Sequence, residues 1–185
     1  ERPCAMFVPA EDFVVSYGAT DLMTCARYTH VMKKSSNEIA KLMVNGFYKD
    51  IDLPDPEPDM SDIQEKYDEL DGESAVIEDD DRHTLLEIHA DLELPEPFDD
   101  ADNIARPYVV TIDKSSKMIL SIRRNYYEDD EKKKKIQYFV HYKYLPGLGF
   151  YGTGLIHLIG GLAKSATSIL RQLIDAGTLS NLPAG

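Results

Sequence analysis

Hydrophobic and polar residues alternate along the middle of the chain with the period of two that is typical of β-strands. The alternation is clearest over residues 86–92 and recurs over residues 108–112, 118–122 and 136–144. The turn at residues 113–117 is short enough to join two antiparallel strands. Four strands in succession predict an antiparallel meander. In the first of them, the side chains expected on the covered face are Leu86, Ile88, Ala90 and Leu92.

Two segments carry helical signals. Ser35 and Glu38 have the spacing of a capping box, which predicts a helix that begins there and ends at Gly46. A longer helix is predicted over residues 153–176, with Gly177 as its C-terminal stop. Before these, residues 13–17 predict a short strand and residues 20–28 one or two helical turns. The apolar stripe of the long helix includes Leu158, Leu162, Ile169 and Leu173.

Together these elements predict an α+β fold, in which an antiparallel β meander packs against one long C-terminal helix. Short N-terminal helices precede the meander, and an acidic insert interrupts the chain. The predicted segments are an N-terminal strand and helices (1–49), the insert (50–82), the antiparallel strands (83–145), and a glycine-rich corner with the long helix (146–185). Because the helix stripe would close the core within one chain, we expect this chain to be monomeric or weakly associated.

The charge of the chain is unevenly distributed. Thirty-three acidic residues against twenty basic ones give a net charge of -13, which disfavours non-specific phosphate binding by the chain as a whole. Residues 50–102 hold 22 of the acids and only two bases, Lys66 and Arg82. Since acids and prolines there leave little apolar surface to bury, we expect the insert to be partly disordered, with one short helix at about residues 61–70.

The four lysines at 132–135 predict a solvated hairpin tip.

No pattern of catalytic or metal-binding residues emerges. The five histidines, His30, His83, His89, His141 and His157, fall in different predicted elements without an HExxH motif, and His89 and His141 are expected on the wetter face of the sheet. Asp71, Gly72 and Glu78 resemble only the second half of a calcium loop, because Tyr67 stands at its first position. The two cysteines, Cys4 and Cys25, form no CxxC pair. The sequence therefore predicts no catalytic, cofactor-binding or metal site.

The glycines between Gly147 and Gly154 allow an alternative. The segment LPGLGFYGTG contains GxGxxG between a predicted strand and a predicted helix. Phe150 and Tyr151 stand where a pyrophosphate would approach, and the sheet is antiparallel, without the βαβ unit that this motif requires. A nucleotide-binding enzyme is therefore the least favoured interpretation. The longest apolar stretch, residues 155–162, is too short to span a bilayer.

Three stretches resemble portal proteins of short-tailed bacteriophages and related prophages. The first covers residues 11–53, the second is RPYVVTIDKSSKMILSIRRNYYEDD at 106–130, and the third and most specific begins YFVHYKYLPGLGFYGTGLIHLIGG and covers 138–185. The acidic insert has no counterpart in the resemblance. In the first stretch the matching positions are Asp12, Asp21, Arg27, Thr29, His30, Asn45, Gly46, Phe47 and Tyr48.

The resemblance implies a structural ring subunit rather than an enzyme. Portals of this kind are homododecamers at one capsid vertex; they dock terminase during packaging and later the tail or an adaptor, and double-stranded DNA passes through them without sequence-specific binding. The chain would be a fragment covering mainly the wing, with stem and clip elements beyond Gly185, and it would occupy the virion and, during assembly, the host cytoplasm, without a membrane. An acidic protein-binding module of a prophage is the alternative, engaging another protein through residues 50–102.

Overall fold

The computed structural model describes residues 4–56, 82–95, 104–147 and 149–180, and it confirms the α+β class. The described residues form one antiparallel five-stranded sheet whose strands are ordered as they occur in the chain. Contacts divide the chain into two compact units, Glu1–Phe139 and Val140–Gly185. The strands are β1 (Phe13–Val15), β2 (Arg27–Ser35), β3 (Arg82–Leu92), β4 (Arg106–Asp113) and β5 (Ile119–Arg124); the helices are α1 (Ser36–Val44) and α2 (Leu155–Ser180), and a 3-10 turn covers Ala10–Asp12.

The predicted capping box fixes the start of α1. Glu38 N–H donates to Ser35 Oγ (3.4 Å), and Ser35 N–H donates to the Glu38 carboxylate (3.0 Å). The helix ends as predicted, because Gly46 adopts the left-handed conformation (φ 71°) that glycine tolerates and most residues avoid. Its buried residue Ile39 joins Leu85 of β3 in the core. The remaining members of this core are Tyr48 and Leu120, with Met32, Leu42, Met43 and Leu53 packed around them.

The sheet has an inner face, covered by α1 and by Phe139, and an outer face. Strand register places Met32, Leu85 and Thr111 among the inner-face positions, in neighbouring strands. The outer face carries the residues between them: Val31 of β2 pairs with Leu86 of β3, and Ile88 with Val110 of β4. The outer face is defined by Val14, Val31, Leu86, Ile88, Ala90, Tyr108, Val110, Ile112 and Ile122.

The predicted covered face of β3 is wrong. Leu85 is 0% exposed and His89 is 2% exposed, whereas Leu86, Ile88, Ala90 and Leu92 are only half-buried. The alternation of hydrophobic and polar residues shows that the strand has two different faces, but it does not show which face another element of the fold covers. Here α1, which directly follows β2, covers the inner face around Leu85. Phe139 covers the same face around His89.

Two further element predictions are wrong. Residues 20–28 form no helix; the Asp21 carboxylate accepts hydrogen bonds from Met23 N–H and Thr24 N–H (2.8 Å each), which stabilises a turn before β2 begins. Residues 136–144 form no strand of the sheet, although Ile136 N–H donates to Asn125 O. Within that stretch, Phe139 packs edge-on against Phe13 at 5.0 Å between ring centroids.

The predicted long helix is present, but it extends beyond its predicted C-terminal stop. α2 runs from Leu155 through Gly177 to Ser180, so the glycine expected to stop it lies inside the helix. Its apolar stripe is not covered by other residues of its own unit, with Leu162 73% exposed, and its packing against the sheet stays a prediction. The inner face of the sheet is filled by residues of its own unit, Ile39 and Phe139 among them.

Candidate functional site

A buried polar cluster lies on the inner face of the sheet and includes residues of β2, β3 and β5. The Glu87 carboxylate lies 3.1 Å from His89 Nε2 and accepts a 3.4 Å hydrogen bond from Arg123. Burial alone would raise the pKa of Glu87, but the hydrogen bond and charge of His89, together with Arg123, outweigh it and leave the pKa below its usual range. Glu87 therefore stays ionised in a mostly buried position, held by two cationic or polar neighbours.

Aromatic rings enclose the histidines of this cluster. Tyr28 stacks on His89 at 4.7 Å between centroids, and Phe139 meets the rings of His89 and His30 edge-on. Burial lowers the pKa of His30 and raises the pKa of Tyr28 to about 12. The expectation that His89 is a surface residue is therefore wrong, because its ring is part of an aromatic layer and its polar atoms find partners within the sheet.

A second polar group brings together three residue types that can carry acyl-transfer chemistry. Ser36 Oγ lies 3.3 Å from His83 Nε2, and His83 Nδ1 lies 3.5 Å from the Asp113 carboxylate. Ser36 is the first residue of α1, whereas His83 and Asp113 occupy β3 and β4. The sequence carries no signal of this arrangement, because the three residues are far apart in the chain and meet only when α1, β3 and β4 come together in the fold.

The geometry favours a structural role for Ser36, His83 and Asp113. A working triad needs a close hydrogen bond between base and carboxylate and free donors for the oxyanion. Here the His83–Asp113 separation exceeds an ordinary hydrogen bond, and the Asp113 carboxylate instead accepts from Ser115 Oγ, Ser116 N–H and Ser116 Oγ. Those bonds outweigh burial and lower the pKa of Asp113.

The N-terminus of α1 is poorly suited to stabilise the oxyanion that would form during acyl transfer at Ser36. The Glu38 carboxylate already lies at this helix terminus, and Glu38 N–H donates to Ser35. His83 is only 4% exposed, which leaves a substrate little access to its ring. The Ser36–His83–Asp113 group is best described as a polar link that ties the first turn of α1 to β3 and β4.

The glycine-rich corner is filled by its own aromatic residues. Leu145 and Thr153 form an isolated antiparallel bridge, with Gly149 (φ 90°) and Gly152 (φ 70°) in left-handed conformations between them. Phe150 is buried and stacks on His141 at 4.1 Å, and Lys143 donates to Gly149 O. These contacts account for the glycines by backbone conformation, so the corner does not fit a phosphate loop.

The lysine-rich segment after β5 is folded back on itself. The Asp130 carboxylate accepts from the backbone N–H groups of Lys132 and Lys134, whose side chains are exposed. Lys135 is half-buried, lies over the ring of Tyr28 at 5.2 Å and donates to Cys25 O. Lys132 and Lys134 are therefore solvated as predicted, whereas Lys133 and Lys135 are half-buried, and the predicted hairpin is wrong because residues 136–144 form no strand.

Other candidate sites give no further chemistry in the described part of the chain. His141 is half-buried against Phe150 rather than fully exposed. Within the described ranges no group of three or more His, Cys, Asp or Glu side chains is placed to hold a metal ion, and no helix is long and apolar enough to cross a membrane. The half calcium loop at Asp71 to Glu78, and most of the acidic insert, lie outside the described residues.

The described residues therefore form a sheet with polar clusters paired internally on its inner face, and a separate corner filled by its own aromatic side chains. The chain belongs to the phage SU10 portal protein family, whose model matches residues 1–184. It is therefore a portal protein, a structural and ring-forming component of bacteriophages. No curated protein matches the chain significantly.

Proposed function

We propose that the chain is part of the subunit of a homododecameric portal ring, the conduit through which double-stranded DNA enters and leaves the capsid. In this function the ring docks terminase during packaging and later binds tail or adaptor proteins, and it resides in the virion after assembly in the host cytoplasm. The family match over almost the full length, residues 1–184, is the observation that carries the proposal.

The charge of the chain as a whole supports a conduit rather than a DNA reader, because a net charge of -13 disfavours non-specific phosphate binding. Residues 50–102 carry this excess of acids, since the remainder of the chain, with eighteen bases and eleven acids, has a net charge of +7. The exposed lysines at 132 and 134 adjoin Asp129, Asp130 and Glu131, which lower the local positive potential. Tight phosphate binding needs clustered bases, and a conduit must release its cargo as it moves.

The test is genetic and uses the protein in its own phage or prophage. Without a functional copy of the gene, heads should form without packaged DNA, and supplying the wild-type protein should restore DNA-filled particles. DNA-filled particles that form in its absence would refute the proposed function. A Ser168→Ala variant, changed at an exposed position of α2, serves as the matched positive control and should package normally.

The concentration of acids in residues 50–102 favours a second candidate, an acidic module that binds another protein. The two functions can be separated by replacing residues 57–81 with a short Gly-Ser linker. A portal subunit should still assemble into rings after this change, because the sheet and α2 are untouched. If the replacement leaves assembly intact but abolishes capture of one defined phage or host protein, the insert is that module.

A further inference from the structure

A short segment after β5, residues 135–139, lies across the inner face of the sheet and is called the strap here. It is attached by few polar contacts: Ile136 N–H donates to Asn125 O (2.9 Å), and Lys135 Nζ donates to Cys25 O (3.3 Å). The strap belongs to none of the five strands of the sheet. Because segments held by so few backbone hydrogen bonds open locally, the strap can detach without unfolding of the sheet.

The side chain of Phe139 anchors the end of the strap in an aromatic pocket. Its ring centroid lies 5.0 Å from that of Phe13 and 5.7 Å from that of Tyr28. The other two rings of the pocket are the imidazoles of His30 and His89, at 5.6 Å and 5.5 Å. Half of the pocket therefore consists of rings that can take up a proton near neutral pH.

His30 is the imidazole that is least prepared to carry a charge in this pocket. It is 7% exposed, and no described residue forms a hydrogen bond with its ring, whereas His89 is paired with Glu87. Burial is the largest influence on His30 and lowers its pKa. Phe139 adds no charge from the strap. The charges that act on His30 are those of Asp12 before β1, Lys34 of its own strand, and Glu87 and His89 of β3; the two acids favour the proton and the other two oppose it.

We propose that the strap is an acid-sensitive latch, in which protonation of His30 expels Phe139 from the aromatic pocket and residues 135–139 leave the sheet while its strands stay paired. Phe139 is the last residue of the unit that contains the sheet, and Val140 is the first residue of the other unit. Release would therefore lengthen the linker between the two units. This regulation goes beyond the proposed function and does not depend on ring assembly.

Proton linkage fixes the direction of the effect. With the strap closed, the pKa of His30 lies below 6.5, and with the strap open its ring meets water and regains the usual pKa of about 6.5. Opening is therefore coupled to proton uptake, so the open fraction rises as the pH falls through about 6.5. Titration of one such group between pH 7.5 and pH 5.5 raises the open fraction at most about tenfold.

Hydrogen–deuterium exchange at pH 7.5 and pH 5.5, corrected for the intrinsic exchange rate at each pH, tests the latch. The reporter is the amide of Ile136, whose hydrogen bond to Asn125 O forms only while the strap lies on the sheet. Its protection should be lower than that of amides in β4 at both pH values, and it should fall several-fold to about tenfold at pH 5.5. Equal protection of Ile136 and β4 would show that the strap opens only when the sheet unfolds, and unchanged protection of Ile136 at pH 5.5 would show that acid does not release it. Either result refutes the latch.

Two pairs of variants assign the effect to His30 and Phe139. His30→Gln should remove the pH dependence of Ile136 protection, whereas His141→Gln, which changes a histidine outside the sheet unit, should retain it. Phe139→Ala should leave Ile136 weakly protected at both pH values, whereas Tyr138→Ala, at the exposed neighbouring position, should behave like the wild type. A pH dependence that survives in His30→Gln, or wild-type protection in Phe139→Ala, would overturn the proposal. Circular dichroism checks that each variant is folded, and the wild-type measurement decides by itself if His30→Gln does not fold.

Discussion

Replacement of Leu85 with alanine should destabilise the unit that contains the sheet, Glu1–Phe139, far more than the same replacement at its neighbour Leu86. Leu85 is 0% exposed and contacts the core that includes Ile39 and Leu120, whereas Leu86 lies on the half-buried outer face. A fully buried Leu→Ala change costs about 2–5 kcal/mol, because the lost transfer free energy is joined by the cost of the cavity. At Leu86 partial burial limits the loss to about 1 kcal/mol.

Urea unfolding followed by near-ultraviolet circular dichroism measures this difference in the free energy of unfolding. The chain has eleven tyrosines and no tryptophan, and Tyr28, Tyr48 and Tyr108 are buried in the sheet unit, so the tyrosine signal reports its packing. Dilute protein keeps self-association from contributing to the result. If Leu86→Ala costs as much as Leu85→Ala or more, the covered face has been assigned to the wrong side of β3.

Three further predictions address the cap, the buried histidine and the glycine corner. Ser35→Ala should cost about 1 kcal/mol in thermal or urea unfolding, while Glu38→Gln, which keeps the capping box, should cost less; equal losses would contradict the cap. Because burial lowers the pKa of His30 below 6.5, the unfolded chain binds a proton that the folded chain excludes, so stability should fall as pH drops below about 6.5. His30→Gln should flatten that slope between pH 7 and pH 5, and an unchanged slope would show that other groups cause it. Calorimetry should detect no ATP or NAD binding, because Phe150 and His141 fill the corner, and a micromolar Kd would contradict this.

Local signals in the sequence predict elements that are held together by near neighbours. Ser35, Glu38 and Gly46 define α1 through a cap and a stop, each acting within one helical turn. The turn after Asp113 joins β4 to β5 as predicted, since the Asp113 carboxylate binds the next residues of the chain. Such contacts leave a pattern in consecutive residues.

Contacts between distant segments leave no such pattern. Alternation along β3 identifies two faces, but only the positions of α1 and Phe139 decide that Leu85 is covered more completely than Leu86. Residues 136–144 alternate like a strand, yet Phe139 packs across aromatic rings instead of pairing in the sheet. The polar group of Ser36, His83 and Asp113 has the same origin, because the strand register and the start of α1 together bring the three residues into one place.

Electron microscopy of the purified full-length portal subunit that contains this chain tests the central claim most directly. The account predicts closed rings with a central channel wide enough for duplex DNA and, by resemblance to short-tailed phage portals, twelve-fold symmetry. Particles that remain single subunits at every concentration, with α2 helical and the sheet folded, would contradict it.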